Sequence, residues 1–442
     1  MTRGEVNRRE FLKGSGAVAT VAAASPVLTS VPAAAAGAND RIRFAVIGCG
    51  GQGRRSHIGR FPKGVNTEIV YVCDPDEERR NQASTEAGGA RPVDDLRRIL
   101  EDPDIDAVTI ATPDHWHTPA AILALDAGKH VYLEKPCSHN LREGRLLVEA
   151  ARRSGRVLQH GTQARSSQGF VEAVRMLHDG IIGDVLVAKA WNVQKRRNIG
   201  REQPGPPPDG FDYDLWLGPA PRVPFQKNRH HYSWHWWYDF GTGDLGNDGV
   251  HEFDMARWGL GLDGHPTQVA VAGGKFFFDD DQEFPDTVTA TFDYPGNGGV
   301  GERRQLVFEM RIWSGNHPYD VDGGVEFLGT GGKMMFSRRG RFQLWDEENR
   351  PLDKRPAVMP RMDMTSNFLT WVQAIRGQAD LTADAGTAHL STSLCHLANI
   401  AVRVGRSFHF DPETERIAGD EKADALLART YRKGHWAIPR GA

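Results

Sequence analysis

The chain has 442 residues, a formal charge of −3 and a quarter of its residues charged, which is the composition of an ordinary globular protein. There is no basic stripe of the kind nucleic acid requires, and past the N-terminus no apolar run is long enough to cross a membrane. The length predicts two domains, and the four cysteines (49, 73, 137 and 395) show neither C-x-x-C spacing nor the density of a disulfide scaffold.

The N-terminus reads Asn7-Arg8-Arg9-Glu10-Phe11-Leu12-Lys13, then runs uncharged through small and mildly apolar residues to Ala34-Ala35-Ala36. Paired arginines, a weak apolar region and an A-x-A site make a twin-arginine export signal over residues 1–36, with cleavage expected after Ala36. Gly14, Gly16, Pro26 and Pro32 break the stretch too often for a stable span, so no lasting membrane insertion is expected; an uncleaved anchor is the alternative. The mature protein is expected in the periplasm or another extracytoplasmic space. The route carries folded proteins, which suits a chain loaded with its cofactor before departure.

Arg43 to Ile47 reads as a buried strand, and Gly48-Cys49-Gly50-Gly51-Gln52-Gly53 follows where a strand should pass into a helix. Glycines there let the backbone turn tightly and approach a pyrophosphate seated on the helix N-terminus. A second strand, Ile69 to Cys73, ends in Asp74, about twenty residues beyond the last glycine, where a carboxylate accepts hydrogen bonds from the adenosine ribose. Its charge repels a 2′-phosphate, so NAD is favoured over NADP.

After a polar helix, Ala107 to Ala111 forms a third strand that exits into Thr112-Pro113-Asp114-His115-Trp116-His117. A helix is predicted from Pro119 to Ala127, then a strand Val131 to Leu133 ending in Glu134-Lys135-Pro136, a helix from Arg142 to Arg153, and a strand Val157 to Gln159. Alternating short strands and helices imply right-handed βαβ units, hence a Rossmann dinucleotide-binding domain over 40–163 with ligands at the carboxyl ends of its strands. Those ends are Gly48, Asp74, Thr112, Glu134-Lys135 and His160 to Gln163. The sequence leaves open whether the Lys135-Pro136 bond is cis.

The second half changes character. Long β-rich runs (Asp184 to Val193, Thr267 to Phe278, Thr287 to Tyr294, Gln305 to Trp313, Val325 to Leu328) predict an α+β domain over 164–442 with a mostly antiparallel open sheet. Two amphipathic helices, Met364 to Ile375 and Ala385 to Val404, are predicted to close it. Between Arg229 and Tyr238 the chain reads Arg-His-His-Tyr-Ser-Trp-His-Trp-Trp-Tyr. Such aromatics serve as platforms for the C–H faces of sugars, with His231, Trp234 and His235 as candidate contacts, or as interdomain or oligomer packing. The i,i+4 pair His231 and His235 also suits a metal, but with no third ligand placed, no metal site is assigned.

A strand-borne GxGxxG, a Thr-Pro-x-x-x-His loop, Glu-Lys-Pro at a later strand end and Gly246-Asn247-Asp248-Gly249-Val250-His251 in an α+β second domain together resemble the Gfo/Idh/MocA family of sugar-handling oxidoreductases. Asp214 to Pro221 is similar to its exported branch. The resemblance implies cofactor contacts from Gly48, Gly50, Gly51, Gln52, Gly53, Asp74, Thr112, Pro113, His117, Glu134 and Lys135. It implies substrate contacts from Gln163, His231, Trp234, His235, Asn247, Asp248 and His251, and a homo-oligomer formed through the second-domain sheet. Lys135 would hydrogen-bond the hydroxyl being oxidised and share its proton, with His251 as the second catalytic candidate.

In family members of the dehydrogenase type an aspartate lies four residues before this histidine, and this chain has Asn247 there, with Asp248 one position off. Either His251 is the base alone, or Asn247 binds a sugar hydroxyl while His251 and Lys135 divide the proton work. Three functions stay open: NAD-dependent oxidation of a sugar, glycoside or cyclitol; a redox-neutral glycosidase, lyase or epimerase using transient oxidation; and a non-catalytic sugar-binding protein. Outside the cytoplasm there is little free NAD to exchange with, so tight cofactor retention is expected.

Overall fold

The computed structural model describes residues 41–299 and 301–442; the export signal and its cleavage point lie outside the described residues. A parallel sheet comes first. Its strands are β1 (Ile42–Ile47), β2 (Thr67–Cys73), β3 (Arg91–Val93), β4 (Ala107–Ile110), β5 (His130–Leu133) and β6 (Leu158–His160), in the order β3-β2-β1-β4-β5-β6. The order reverses at β1, so a crevice opens beyond the carboxyl ends of β1 and β4. Ala45, Ile47, Val108, Ile110, Val131 and Leu133 fill the core on one face, and Phe44, Val46, Val72 and Tyr132 on the other.

The intervening helices carry their own start and stop signals. In α1 (Glu77–Glu86), Asp76 caps by accepting the Arg79 N–H at 3.1 Å. Further on, α2 spans Asp114–Asp126 and α3 spans Leu141–Ser154; Asn140 caps α3, and Gly155 at φ +62° ends it. The α2 helix begins five residues before the predicted Pro119. Proline has no N–H for the His115 carbonyl four residues back. That carbonyl instead accepts from Arg429 Nη2 at 2.8 Å, so the helix continues through the proline.

After α4 (Gln168–His178) the chain enters a sheet ordered β13-β12-β11-β7-β10-β9-β8-β14, the last being the two-residue edge strand Phe408–His409. Its main strands are β7 (Val185–Val193), β8 (Gln268–Gly274), β9 (Thr287–Tyr294), β10 (Arg304–Arg311), β11 (Gly323–Gly329), β12 (Gly332–Phe336) and β13 (Phe342–Asp346). The β7–β10 pair is parallel and the rest are antiparallel. The predicted run to Phe278 stops at Gly274, because the N–H groups of Phe276, Phe277 and Phe278 turn onto the Asp286 carboxylate at 2.8–2.9 Å. One sheet face buries Phe292, Phe308 and Phe327 against α6 (Gly249–Gly259), which follows the short α5 (Gly243–Asn247).

The two predicted late helices match their limits, α7 spanning Met364–Ile375 and α8 Ala385–Val404, and a short helix, Glu421–Ala425, follows them. They do not close the chain on the second sheet alone. Phe368 and Trp371 of α7 are fully buried against the first sheet, each such side chain contributing roughly 1.5–3 kcal/mol. The residues after α8 return to the first sheet as well, where Trp436 packs against Trp116.

Candidate active site

The glycine loop forms where β1 stops. Gly48 has φ +92°, and a Cβ there would lie 2.5 Å from the Ala111 backbone; a Cβ at Gly53 would lie 1.9 Å from the Gly48 carbonyl oxygen. Only glycine fits either position. The chain then enters a wide helical turn, Gly53–Ile58, with Gly59 N–H bonded five residues back to Arg54. The loop therefore presents bare backbone at a helix entry, which fits a pyrophosphate.

Asp74 stands at the neighbouring strand end. Its Oδ2 accepts the Cys49 N–H at 2.8 Å and its Oδ1 the Asp76 N–H at 3.0 Å, which fixes the carboxylate and leaves a lone pair on each oxygen for ribose hydroxyls. Burial pushes its carboxyl up to about 6, against the pull of those two N–H groups.

One cleft joins these parts. It is lined by Gly48, Gly50, Gly51, Gln52, Asp74, Thr112, Pro113, His117, Glu134, Lys135, His231, Trp234, His235 and Asn247. Gly53 lies behind the loop. His251, Asp248 and Gln163 are close by but do not line the cleft.

Glu134 is the anchor of the inner end. Its Oε1 accepts from Gln52 Nε2 at 2.8 Å and faces His57 Nε2 at 3.0 Å, tying the glycine loop to the end of β5. Burial would raise its pKa, yet the His57 hydrogen bond, with the charges of His57 and Lys135 and the Gln52 amide, holds it at about 2. His57 is a residue that sequence reasoning missed.

Half-buried Lys135 comes next, on a cis bond to Pro136. Its Nζ donates to the Asn247 main-chain carbonyl and, at 3.4 Å, to Asn247 Oδ1. Asn247 Nδ2 in turn donates to Asp244 Oδ1 at 3.2 Å.

Asp248 faces elsewhere. Its Oδ1 meets Arg338 Nη1 at 2.9 Å and its Oδ2 accepts from Gln194 and Arg196. Burial would raise its carboxyl, but Arg338, Arg196 and Lys135 hold it well below the usual range. His251, 5% exposed, lies one turn on; burial, then Arg338 and Lys135, keep its imidazole neutral, and its Nδ1 has no hydrogen bond among the described residues.

The aromatic segment divides. Trp234 and His235 stack with centroids 3.6 Å apart at the cleft wall, whereas Trp236 and Trp237 are buried in packing, with Trp236 Nε1 on Asp244 Oδ2 at 3.1 Å. His231 and His235 do not share a site: His231 Nε2 lies 2.9 Å from Asp76 Oδ2, and His235 Nδ1 lies beside the Tyr232 carbonyl.

The segment from β7 to α5 also crosses the Asp74 end. Glu77 N–H bonds the Gly210 carbonyl at 2.9 Å and Asp212 N–H the Pro75 carbonyl at 3.1 Å. Trp116, Trp216 and Trp436 line this end of the cleft, and Trp116 Nε1 donates to the Trp216 carbonyl at 3.0 Å. Trp436 was invisible to sequence reasoning. Trp216 lies in the Asp214-to-Pro221 run that carried part of the family resemblance.

Family profiles match over most of this chain. Residues 42–162 match an oxidoreductase family, NAD-binding Rossmann fold, and residues 188–293 and 343–438 its C-terminal alpha/beta domain. The chain belongs to the Gfo/Idh/MocA oxidoreductase family. Residues 5–25 match a twin-arginine translocation signal sequence, and among the described residues no helix is long and apolar enough to cross a membrane.

Similar curated proteins include inositol 2-dehydrogenase 2 of Saccharopolyspora erythraea, 32% identical over 50% of this chain and 54% of that protein. A glycosyl hydrolase family 109 protein of the same organism is 33% identical over 34% of each chain. The scyllo-inositol 2-dehydrogenase (NAD(+)) of Bacillus subtilis is 30% identical over 38% of this chain and 46% of that one. The matched region thus spans about a third to a half of these relatives. Among solved structures, levoglucosan dehydrogenase in complex with NADH and levoglucosan superposes with a TM-score of 0.63 at 19% identity, covering 84% of this chain and 99% of that one. Aldose-aldose oxidoreductase from Caulobacter crescentus complexed with glycerol gives 0.65 at 18%, covering 84% and 100%. These likenesses share the fold.

Proposed function

We propose that the protein is an exported NAD-dependent oxidoreductase acting on a sugar, glycoside or cyclitol. The observation that carries this reading is the Lys135 ammonium held by Asn247 at the inner end of a cleft whose other end is the glycine loop and Asp74. Bound NAD supplies the hydride acceptor. Lys135, reached by one face of the cleft, binds the substrate hydroxyl through an N–H and steadies the charge on its oxygen as the proton leaves. The Asn247 carbonyl keeps the ammonium aimed while the hydroxyl is absent. The stacked Trp234–His235 pair offers a flat face to ring C–H groups. His251, neutral and behind Lys135, is the candidate for receiving the proton.

The homologous dehydrogenases and the NADH-complexed structures support this reading, as does the twin-arginine signal for an extracytoplasmic location.

A second reading, redox-neutral chemistry by transient oxidation, is favoured by one observation. Asn247 stands in place of a relay carboxylate, and the nearby Asp248 is held by Arg196 and Arg338 rather than by His251. Incubating purified protein with a panel of sugars and cyclitols tests both. Reduced nicotinamide with an oxidised product by NMR supports the first reading, and a changed product with no net reduction supports the second. No product and no reduction across the panel would overturn both.

A further inference from the structure

A second cavity of about 350 Å³ shares no lining residue with the catalytic cleft. The same chain segment serves both: Tyr232 to His235 face the cleft, and Tyr238 to Thr242 line the second cavity. Its other walls are the start of α3, the face of α8 that carries Asn399 and Arg403, and the chain around Arg429.

The polar side chains around it are under-used. His139 is 8% exposed, with the Tyr238 main chain near its ring and no well-formed ring hydrogen bond among the described residues. Asn399, 7% exposed, gives Nδ2 to the Thr242 carbonyl at 2.8 Å, and its Oδ1 has no partner among the described residues. Arg429 reaches Glu143 and the His115 carbonyl through Nη2, while its Nε and Nη1, and likewise Asn140 Nδ2, have no partner among the described residues. Nearer the mouth, the Asp239 carboxylate has neither a hydrogen bond nor an ion pair among the described residues. Arg403 lies 3.9 Å from the Tyr238 ring centroid with no acidic partner among them. Each buried polar group left unpaired costs about 1–3 kcal/mol, so their gathering around one cavity calls for an occupant that pairs with them.

The chemistry of that occupant is set by the balance of the groups. Arg429, Arg403 and Asn140 donate; Asp239 and Asn399 Oδ1 accept. Formal charge cancels, since Arg403 offsets Asp239 and Arg429 is paired with Glu143 at 2.7 Å. An anion would face the Asp239 carboxylate, and an apolar molecule would leave the donors unpaired. Hydroxyl groups, which donate and accept at once, suit both sets, and Tyr238 and Phe284 add aromatic surface. We infer that this cavity is a second binding site, separate from the catalytic cleft, for a small neutral polyhydroxylated molecule of monosaccharide or cyclitol size. The inference stands apart from the catalytic reading.

Calorimetric titration of the NAD-loaded protein with D-glucose, methyl α-D-glucopyranoside and myo-inositol, and with sodium phosphate as an anionic probe, tests it. At least one polyol is expected to bind, with a site that survives Trp234→Ala in the cleft and weakens at least tenfold in Asp239→Asn and in Arg403→Ala. Arg403 is exposed at the rim, so its variant stays informative if Asp239→Asn does not fold. Binding confined to a site that Trp234→Ala abolishes, binding indifferent to Arg403→Ala, no polyol binding at all, or phosphate binding in place of polyol would each overturn the inference. A protein that binds polyol at this cavity yet turns over no substrate would leave the site standing and sink the catalytic reading.

Discussion

The ammonium of Lys135 donates to Asn247 twice, to its main-chain carbonyl and to its side-chain oxygen at 3.4 Å. The residue four before His251 therefore serves the lysine rather than the histidine, whose Nδ1 has no hydrogen bond among the described residues.

Lys135→Ala is accordingly expected to lower turnover by a factor of about 10² to 10⁴ while the protein keeps its fold and its NAD. The glycine loop does not depend on the lysine, since Gln52 and His57 are held by the neighbouring Glu134 carboxylate. Single-turnover kinetics beside the nucleotide content of the purified protein check this. A loss of only a few-fold would move the oxyanion elsewhere.

Asp74 gives a pH signature. Its folded-state pKa of about 6 lies above the ~3.9 of an unfolded aspartate, so the folded chain holds that proton more tightly. The stabilisation is complete below about pH 4 and is lost as pH rises through about 6. Asp74→Asn turns an amide NH2 toward one of the two N–H groups, a cost that does not vary with pH, so the melting temperature of the cofactor-free variant relative to wild type should rise from pH 4 to pH 8. Ribose hydroxyls favour the ionised form, so NAD affinity of the wild type should fall as pH drops below about 6, and Asp74→Asn should flatten that slope. Parallel curves for the two proteins would place the titrating group elsewhere.

His231 ties the crossing segment to the start of α1. Its Nε2 lies 2.9 Å from Asp76 Oδ2, and burial holds its imidazole down to about 3, so a neutral ring donates to a carboxylate. A hydrogen bond to a charged group contributes about 1.5–3 kcal/mol, which converts to about tenfold or more in release rate. His231→Ala is expected to release bound NAD at least that much faster, measured by dilution into an excess of a competing nucleotide. Unchanged release would mean that the backbone pairs at Gly210 and Asp212 close the cleft by themselves.

Much of this was legible because the relevant signals are local. β1, β2, β4 and β5 are short β-branched runs followed at once by Gly48, Asp74, Thr112 and Glu134, so strand period and ligand chemistry coincide in sequence. β3 is three residues at a sheet edge, too short for a period to show. The start of α2 was hidden because Pro119 reads as a helix beginning, and the Arg429 side chain that makes an earlier start tolerable lies 314 residues from the carbonyl it bonds. Trp236 and Trp237 pack while Trp234 faces the cleft, a division that comes from contacts with Asp244 and Arg229 and leaves no mark on composition. Trp436 reaches the cleft only through the return of the chain after α8.

The most discriminating variant is Asn247→Asp. It places a carboxylate beside the Lys135 ammonium and, where Asn247 Nδ2 now donates at 3.2 Å, opposite the buried Asp244 carboxylate. Asp244 is already held by Arg196 at 2.7 Å, so the new charge meets repulsion on one side and attraction on the other. Lys135 should be drawn into a tighter ion pair. If the protein is a dehydrogenase in which the lysine alone aligns the hydroxyl, a carboxylate within reach of Lys135 supplies a further proton acceptor, and hydride transfer persists or improves. If Asn247 grips a substrate hydroxyl in a redox-neutral cycle, the loss of its amide donor and the added charge should halt product formation while NAD stays bound. Single-turnover reduction of bound NAD, followed by its near-ultraviolet absorbance beside product release by NMR, separates the two. A variant equal to wild type in both measurements would show that the Lys135–Asn247 contact takes no part in turnover.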